Sequence, residues 1–190
     1  SEYSLSDGII RIKELVSRAS SLQYSAVGLT DLTNLFGLLE FYRSSREKGI
    51  KPIVGAEVNV IKDKDSLPAP IVLLVKDKQG YINLTKIVSK AYVDGQVNGQ
   101  PMVELSLLQK YSEGLIALSG GIEGHIGQSI LAGNIPLTES RIKFFKSIFD
   151  DDFFIEVHRL GKTNEEEYNN AAIDIATRMD VPIVATNNVR

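Results

Sequence analysis

Five short stretches of this chain place residues that could do chemistry at or near the end of an apolar run. They are Asp31 after Ser-Ala-Val-Gly-Leu-Thr, Glu57 in Gly-Ala-Glu-Val-Asn-Val, Ser119-Gly120-Gly121 after Leu-Ile-Ala-Leu, His158 after Phe-Ile-Glu-Val, and Asn187-Asn188 after Pro-Ile-Val-Ala-Thr. In parallel α/β proteins, active sites lie beyond the carboxyl ends of the strands. Carboxylates converging there could hold divalent cations or act as acid and base. The set is thin, because a multi-metal hydrolase needs a cluster of His and carboxylate ligands and the only histidines are His125 and His158.

Each candidate has a structural competitor. Asp7, before Gly8 and an apolar-periodic run, is placed to cap a helix, and Asp31 likewise stands about one turn before one. A carboxylate at Glu57 inside an apolar strand needs a partner, and an ion pair with a neighbouring Lys competes with a metal. His158 reads as a surface or packed histidine. Asp150-Asp151-Asp152 reads as a solvated acidic turn between a helix and a strand. Thr163 to Glu166 reads as a capping box, with Glu165 to Glu167 favourable at a helix N-terminus. Ser-Gly-Gly-Ile-Glu-Gly lacks the Lys and Ser/Thr of a P-loop and does not match the dinucleotide fingerprint. No nucleophile elbow or Ser-His-Asp ordering is present.

The elements that would position these residues alternate. Apolar periodicity predicts helices over about 7–22, 34–48 (closed by Gly49), 80–92, 104–111, 124–132, 138–149 and 164–179. Strands are expected over 25–29, 52–61, 71–75, 115–118, 153–157 and 182–185, and 93–100 reads as an extended loop. Alternation implies βα units and a mostly parallel sheet, in one domain over 1–190.

The 190 residues are enough for a sizeable core but short of the roughly 250 of a complete eight-unit α/β barrel. Twenty-four Asp and Glu against 21 Lys and Arg, a net charge of −3, exclude a basic nucleic-acid footprint. With 43% hydrophobic residues the chain is not a disordered tail, and with no Cys it can form no disulfide or thiolate metal site. The absence of Cys fits a reducing compartment. No apolar run reaches a membrane span, and the N-terminus is not signal-like. A start on Ser1 rather than Met suggests a segment of a longer polypeptide.

Several segments together, SEYSLSDG, GLTDLTNLFGLLEFY, GIKPIVGAEVNV, GYINLTKIVSKAY, EGLIALSGG and PIVATNNVR, closely resemble the PHP (polymerase and histidinol phosphatase) domain family, in the version carried by proteobacterial DNA polymerase III alpha subunits. The resemblance covers essentially the whole chain. It implies a distorted (β/α)7 barrel whose first strand, with an opening His-x-His motif, precedes Ser1.

Active members of the family hydrolyse phosphoesters with a trinuclear metal cluster at the barrel mouth. By resemblance, three ligand-like carboxylates survive: Asp7, Asp31 (the Asp of Thr-Asp-His) and Glu57 (the Glu of Gly-x-Glu-Val). Ligand positions are lost at Leu32, Pro70, Gly121 (Cys in the family), Leu160, Asn188 and Arg190. The expectation is therefore a domain with no catalytic residues, no metal and no cofactor of its own, the parent polymerase holding its Mg²⁺ in a palm domain outside this chain. The resemblance implies a cytoplasmic replication protein and a structural domain that docks the proofreading exonuclease subunit and supports the rest of the alpha chain. DNA would be met only through the parent holoenzyme. The competing expectation is an active phosphoesterase or pyrophosphatase, with His158 and His125 replacing lost ligands.

Overall fold

The computed structural model describes residues 1–4, 8–62 and 67–187. In chain order the elements are α1 (Ile12–Ser21), β1 (Ala26–Leu32), α2 (Leu38–Glu47), β2 (Lys51–Ile61), β3 (Ala69–Val75), α3 (Lys78–Val93), β4 (Gln96–Val97), β5 (Gln100–Pro101), β6 (Val103–Glu104), α4 (Leu105–Lys110), β7 (Leu115–Leu118), α5 (His125–Leu131), α6 (Ile135–Phe149), β8 (Phe153–Val157), α7 (Glu165–Arg178) and β9 (Ile183–Ala185). The main sheet runs β1-β2-β3-β7-β8-β9, with β6 added beside β2. It curls into a half-barrel with helices packed against it.

The pairs β1/β2, β7/β8 and β8/β9 are parallel, as alternation predicts, but β3 is antiparallel to both of its neighbours. The reason is connectivity. β2 ends at Ile61 and β3 begins at Ala69, too short a separation for the crossover of a dozen or more residues that a parallel return would need.

Period-two alternation decides which side chains see which layer. On β2, Ala56, Val58 and Val60 are fully buried in the main core, with Leu84 and Ile87 of α3 and Ile126 of α5, while Glu57 faces the inner side of the half-barrel. A second cluster joins α1 and α2 through Ile12, Val16, Ala19, Leu29, Phe41 and Ile50. Among the described residues no helix is long and apolar enough to cross a membrane.

Four local expectations are corrected. The extended loop over 93–100 contains most of a hairpin with a two-residue turn, β4 paired with β5, turning on Asn98 and Gly99 at φ 51° and 77°; two consecutive positive φ values match the turn that Asn-Gly favours. The capping box at 163–166 does not form. Asn164, the N-cap of α7, sits at φ 63° and makes no side-chain cap bond. Asp31 does not cap α2 either. It lies inside β1, and α2 begins only at Leu38 after Gly37. The helix expected from residue 7 begins at Ile12 with Arg11 as N-cap; Asp7 itself lies outside the described residues. Side-chain caps occur instead at Asp77, which accepts from the Gly80 N–H at 2.9 Å, and Asn134, which accepts from Leu137 at 3.1 Å.

Candidate functional site: the mouth of the half-barrel

The inner faces of the strands enclose a cavity of about 320 Å³. β1 contributes Gly28, Thr30 and Leu32; β2 contributes Ile53 and Glu57; β3 contributes Pro70, Val72 and Leu74. Its polar end carries Glu156 and His158 from β8 and the residue after it, Thr186 and Asn187 after β9, and Glu123 and Lys162 on the rim. Strand register accounts for much of this convergence, since Leu32 pairs with Glu57, Glu57 with Val72 and Val72 with Leu118 across three ladders.

Glu57, His158 and Asn187, candidates from the strand ends, come together here with Leu32 and Pro70, two of the ligand positions lost by the resemblance. Asp31 does not line the cavity. One residue before Leu32 on the same strand, it faces the opposite side, so Asp31 does not converge with Glu57. Asp31 is 2% exposed and accepts hydrogen bonds from Ser4 Oγ at 2.8 Å and Ser1 Oγ at 2.9 Å. Leu160 sits on the outer part of the 158–164 loop, 39% exposed. Asn188 and Arg190 lie outside the described residues.

His158 is packed rather than free. A Cβ built on Gly121 would stand 2.5 Å from its Cε1 and 2.7 Å from its Nδ1. The imidazole therefore occupies the space that any side chain at 121 would need, and Gly121 itself adopts φ 58°. His158 Nε2 lies 3.4 Å from Glu156 Oε1, and the same oxygen accepts from Thr186 Oγ1 at 2.5 Å. From α7, Asn169 Nδ2 donates to the His158 carbonyl at 2.6 Å.

The rim loop is pinned by Glu165, which folds back across the start of α7. Its carboxylate accepts from the Leu160 and Gly161 N–H groups at 2.8 Å. The Leu160 amide, followed by those of Gly161 and Lys162, holds the Glu165 carboxyl below the usual carboxylate range against the opposing effect of burial. Lys162 reaches across to Glu123 at 3.0 Å, tying this loop to the turn after β7.

His125 lies off this mouth, at the start of α5. Burial, followed by the charge of Arg141, lowers its pKa below the ordinary histidine value, and its Nε2 is buried with no hydrogen-bond partner among the described residues. The acidic run ends in a structural contact, with Asp152 paired to Lys76 at 2.6 Å. Glu156, Thr186, Glu123 and Lys162 were not singled out from sequence, and Glu165 was read only as an acidic residue favourable at a helix N-terminus. For Glu156 the signal existed, a charge inside the apolar run Phe-Phe-Ile-Glu-Val, the same feature that marked Glu57. Among the described residues no group of three or more His, Cys, Asp or Glu side chains is placed to hold a metal ion.

The solved structures with a similar fold include a putative metal-dependent phosphoesterase from Bifidobacterium adolescentis, with a TM-score of 0.65 at 13% identity, covering 94% of this chain and 82% of that one. An amidohydrolase from Chromobacterium violaceum aligns with a TM-score of 0.58 at 16% identity, covering 98% and 84%. At such identities the likeness concerns the fold. In sequence, the chain is 40% identical over 191 residues to a DNA polymerase III subunit alpha of Vibrio cholerae and 42% identical over 192 residues to that of Escherichia coli K12. These alignments cover 100% of this chain but 16% of each relative, so the chain spans about one sixth of their length. The PHP domain family model matches residues 1–160, and the chain accordingly belongs to the PHP domain family.

Proposed function

We propose that this chain is the PHP portion of a replicative DNA polymerase III alpha subunit, that its metal site is degenerate, and that it acts in chromosomal DNA replication as a structural domain docking the proofreading exonuclease subunit. In this reading the fragment needs no cofactor, and nucleotide transfer with Mg²⁺ belongs to the palm of the parent chain. The observation that carries it is the state of the mouth. Leu32 and Pro70 present no donor atoms to the cavity, the place of a side chain at 121 is filled by His158, and Asp31 faces away with its oxygens bonded to residues 1 and 4. A trinuclear cluster needs ligands from several strands at once, and this arrangement does not fit one.

The test is metal analysis of the purified full-length polypeptide together with a binding titration against the cognate exonuclease subunit, with and without chelator. Fewer than two tightly held ions per PHP domain and chelator-insensitive binding are expected. Hydrolysis of pyrophosphate or a 3′-nucleotide with Mn²⁺ or Zn²⁺ that falls in Glu57→Ala would establish the phosphoesterase reading instead. Absence of exonuclease binding at micromolar concentrations would remove the docking role.

A further inference from the structure

We infer that Asp31 is the anchor of a strap, residues Ser1–Ser4, which it holds in place as one wall of the mouth. This positioning role rests on the degenerate-site reading above. Ser1 and Ser4 both line the cavity, and both donate from behind through their hydroxyls to the Asp31 carboxylate. The strap is seated by further contacts of the same strand end. The Leu32 N–H donates to Ser4 Oγ at 3.1 Å, and Asn34 Nδ2 donates to the Tyr3 carbonyl at 2.9 Å. Tyr3 is wedged against α2, where a Cβ on Gly37 would lie 2.9 Å from its ring, and its hydroxyl donates to Glu40 at 3.3 Å. The Glu2 N–H donates to the Ile10 carbonyl at 3.0 Å.

The dependence is mutual. A carboxylate that is 2% exposed is costly unless its oxygens are hydrogen-bonded. Among the described residues, the hydrogen bonds to the Asp31 side chain all come from the strap. The strap in turn is held by two hydroxyl-to-carboxylate bonds, from Ser1 Oγ and Ser4 Oγ to Asp31. A carboxylate whose type and motif suggest a place in the cavity thus acts from the far face of β1, shaping the cavity through the residues it holds.

Amide hydrogen exchange on the full-length polypeptide tests this, comparing wild type with Asp31→Asn, Ser4→Ala and, as a control on the cavity face, Glu57→Gln. Asp31→Asn should speed exchange in residues 2–4 at least about tenfold, the loss of one or more charge-assisted bonds. Ser4→Ala, which keeps the buried charge, should give a smaller acceleration, and Glu57→Gln none. If Asp31→Asn does not fold, the Ser4→Ala comparison alone decides. Unchanged exchange in residues 2–4 in the Asp31 and Ser4 variants overturns the anchor and leaves the docking reading standing. Wild-type exchange that slows on adding Mn²⁺, an effect lost in Asp31→Asn, identifies Asp31 as a metal ligand and overturns both.

Discussion

At Gly121 two constraints meet. Its φ of 58° is a left-handed conformation that costs an L-residue about 1–2 kcal/mol, and the His158 ring blocks the Cβ. Gly121→Ala should therefore destabilise the protein by about 2–5 kcal/mol in chemical denaturation, since forcing atoms into a packed site adds about 1–3 kcal/mol. In the Gly121→Ala, His158→Ala double variant the steric share should be recovered and the conformational share should remain. Simple additivity of the two single variants would show that His158 is not what excludes the side chain.

Two other residues set the response to acid. His125 and Glu165 both have folded pKa values below their ordinary ones, so in both cases the unfolded chain binds protons first on acidification and stability falls with pH. For His125 the loss begins as pH drops below about the ordinary value of 6.5; for Glu165 it begins below about 4.5. Thermal midpoints measured from pH 8 to pH 3 should decline through both windows. Glu165→Gln should flatten the lower one and leave the upper one intact.

Among the elements, helix ends show where local sequence is and is not enough. The caps expected at Asp7 and Asp31 rested on residue type before a periodic run. The side-chain caps are at Asp77 and Asn134, where the same type coincides with the chain's actual entry into a helix. Asp77→Ala should cost about 0.5–2 kcal/mol of stability. The C-terminus of α7 is finished from another element, with Lys146 of α6 donating to the carbonyls of Met179 at 3.2 Å and Asp180 at 2.8 Å. Lys146→Met keeps the aliphatic stem but removes this contact with the negative helix end. It should cost about 1 kcal/mol and raise exchange in the last turn of α7 before any other helix. β7 and β8 match their expected bounds, because short apolar runs between helices leave little choice of register.

For the whole molecule, the half-barrel brings strands distant in sequence to one mouth, and the mouth is furnished mainly by the chain's own packing. His158 fills the space beside Gly121, Glu165 pins the rim, and Asp31 holds the wall from outside. A protein stabilised in this way should show the same thermal midpoint with and without a chelator, whereas a resident cluster would make the midpoint drop on chelation.

While the resemblance of several segments pointed to the family, composition and periodicity by themselves determined the α/β class, most strands and helices, and Glu57 and the ends of β1, β7, β8 and β9 as the place to look. These follow from period-two and period-3.6 burial, which is written locally along the chain. Only the tertiary structure decided that Asp31 and Glu57 face opposite sides, that β3 runs against its neighbours, and that Glu156 rather than Asp31 stands beside His158. Those facts depend on the pairing register of strands far apart in sequence, and a shift of one residue exchanges inside for outside.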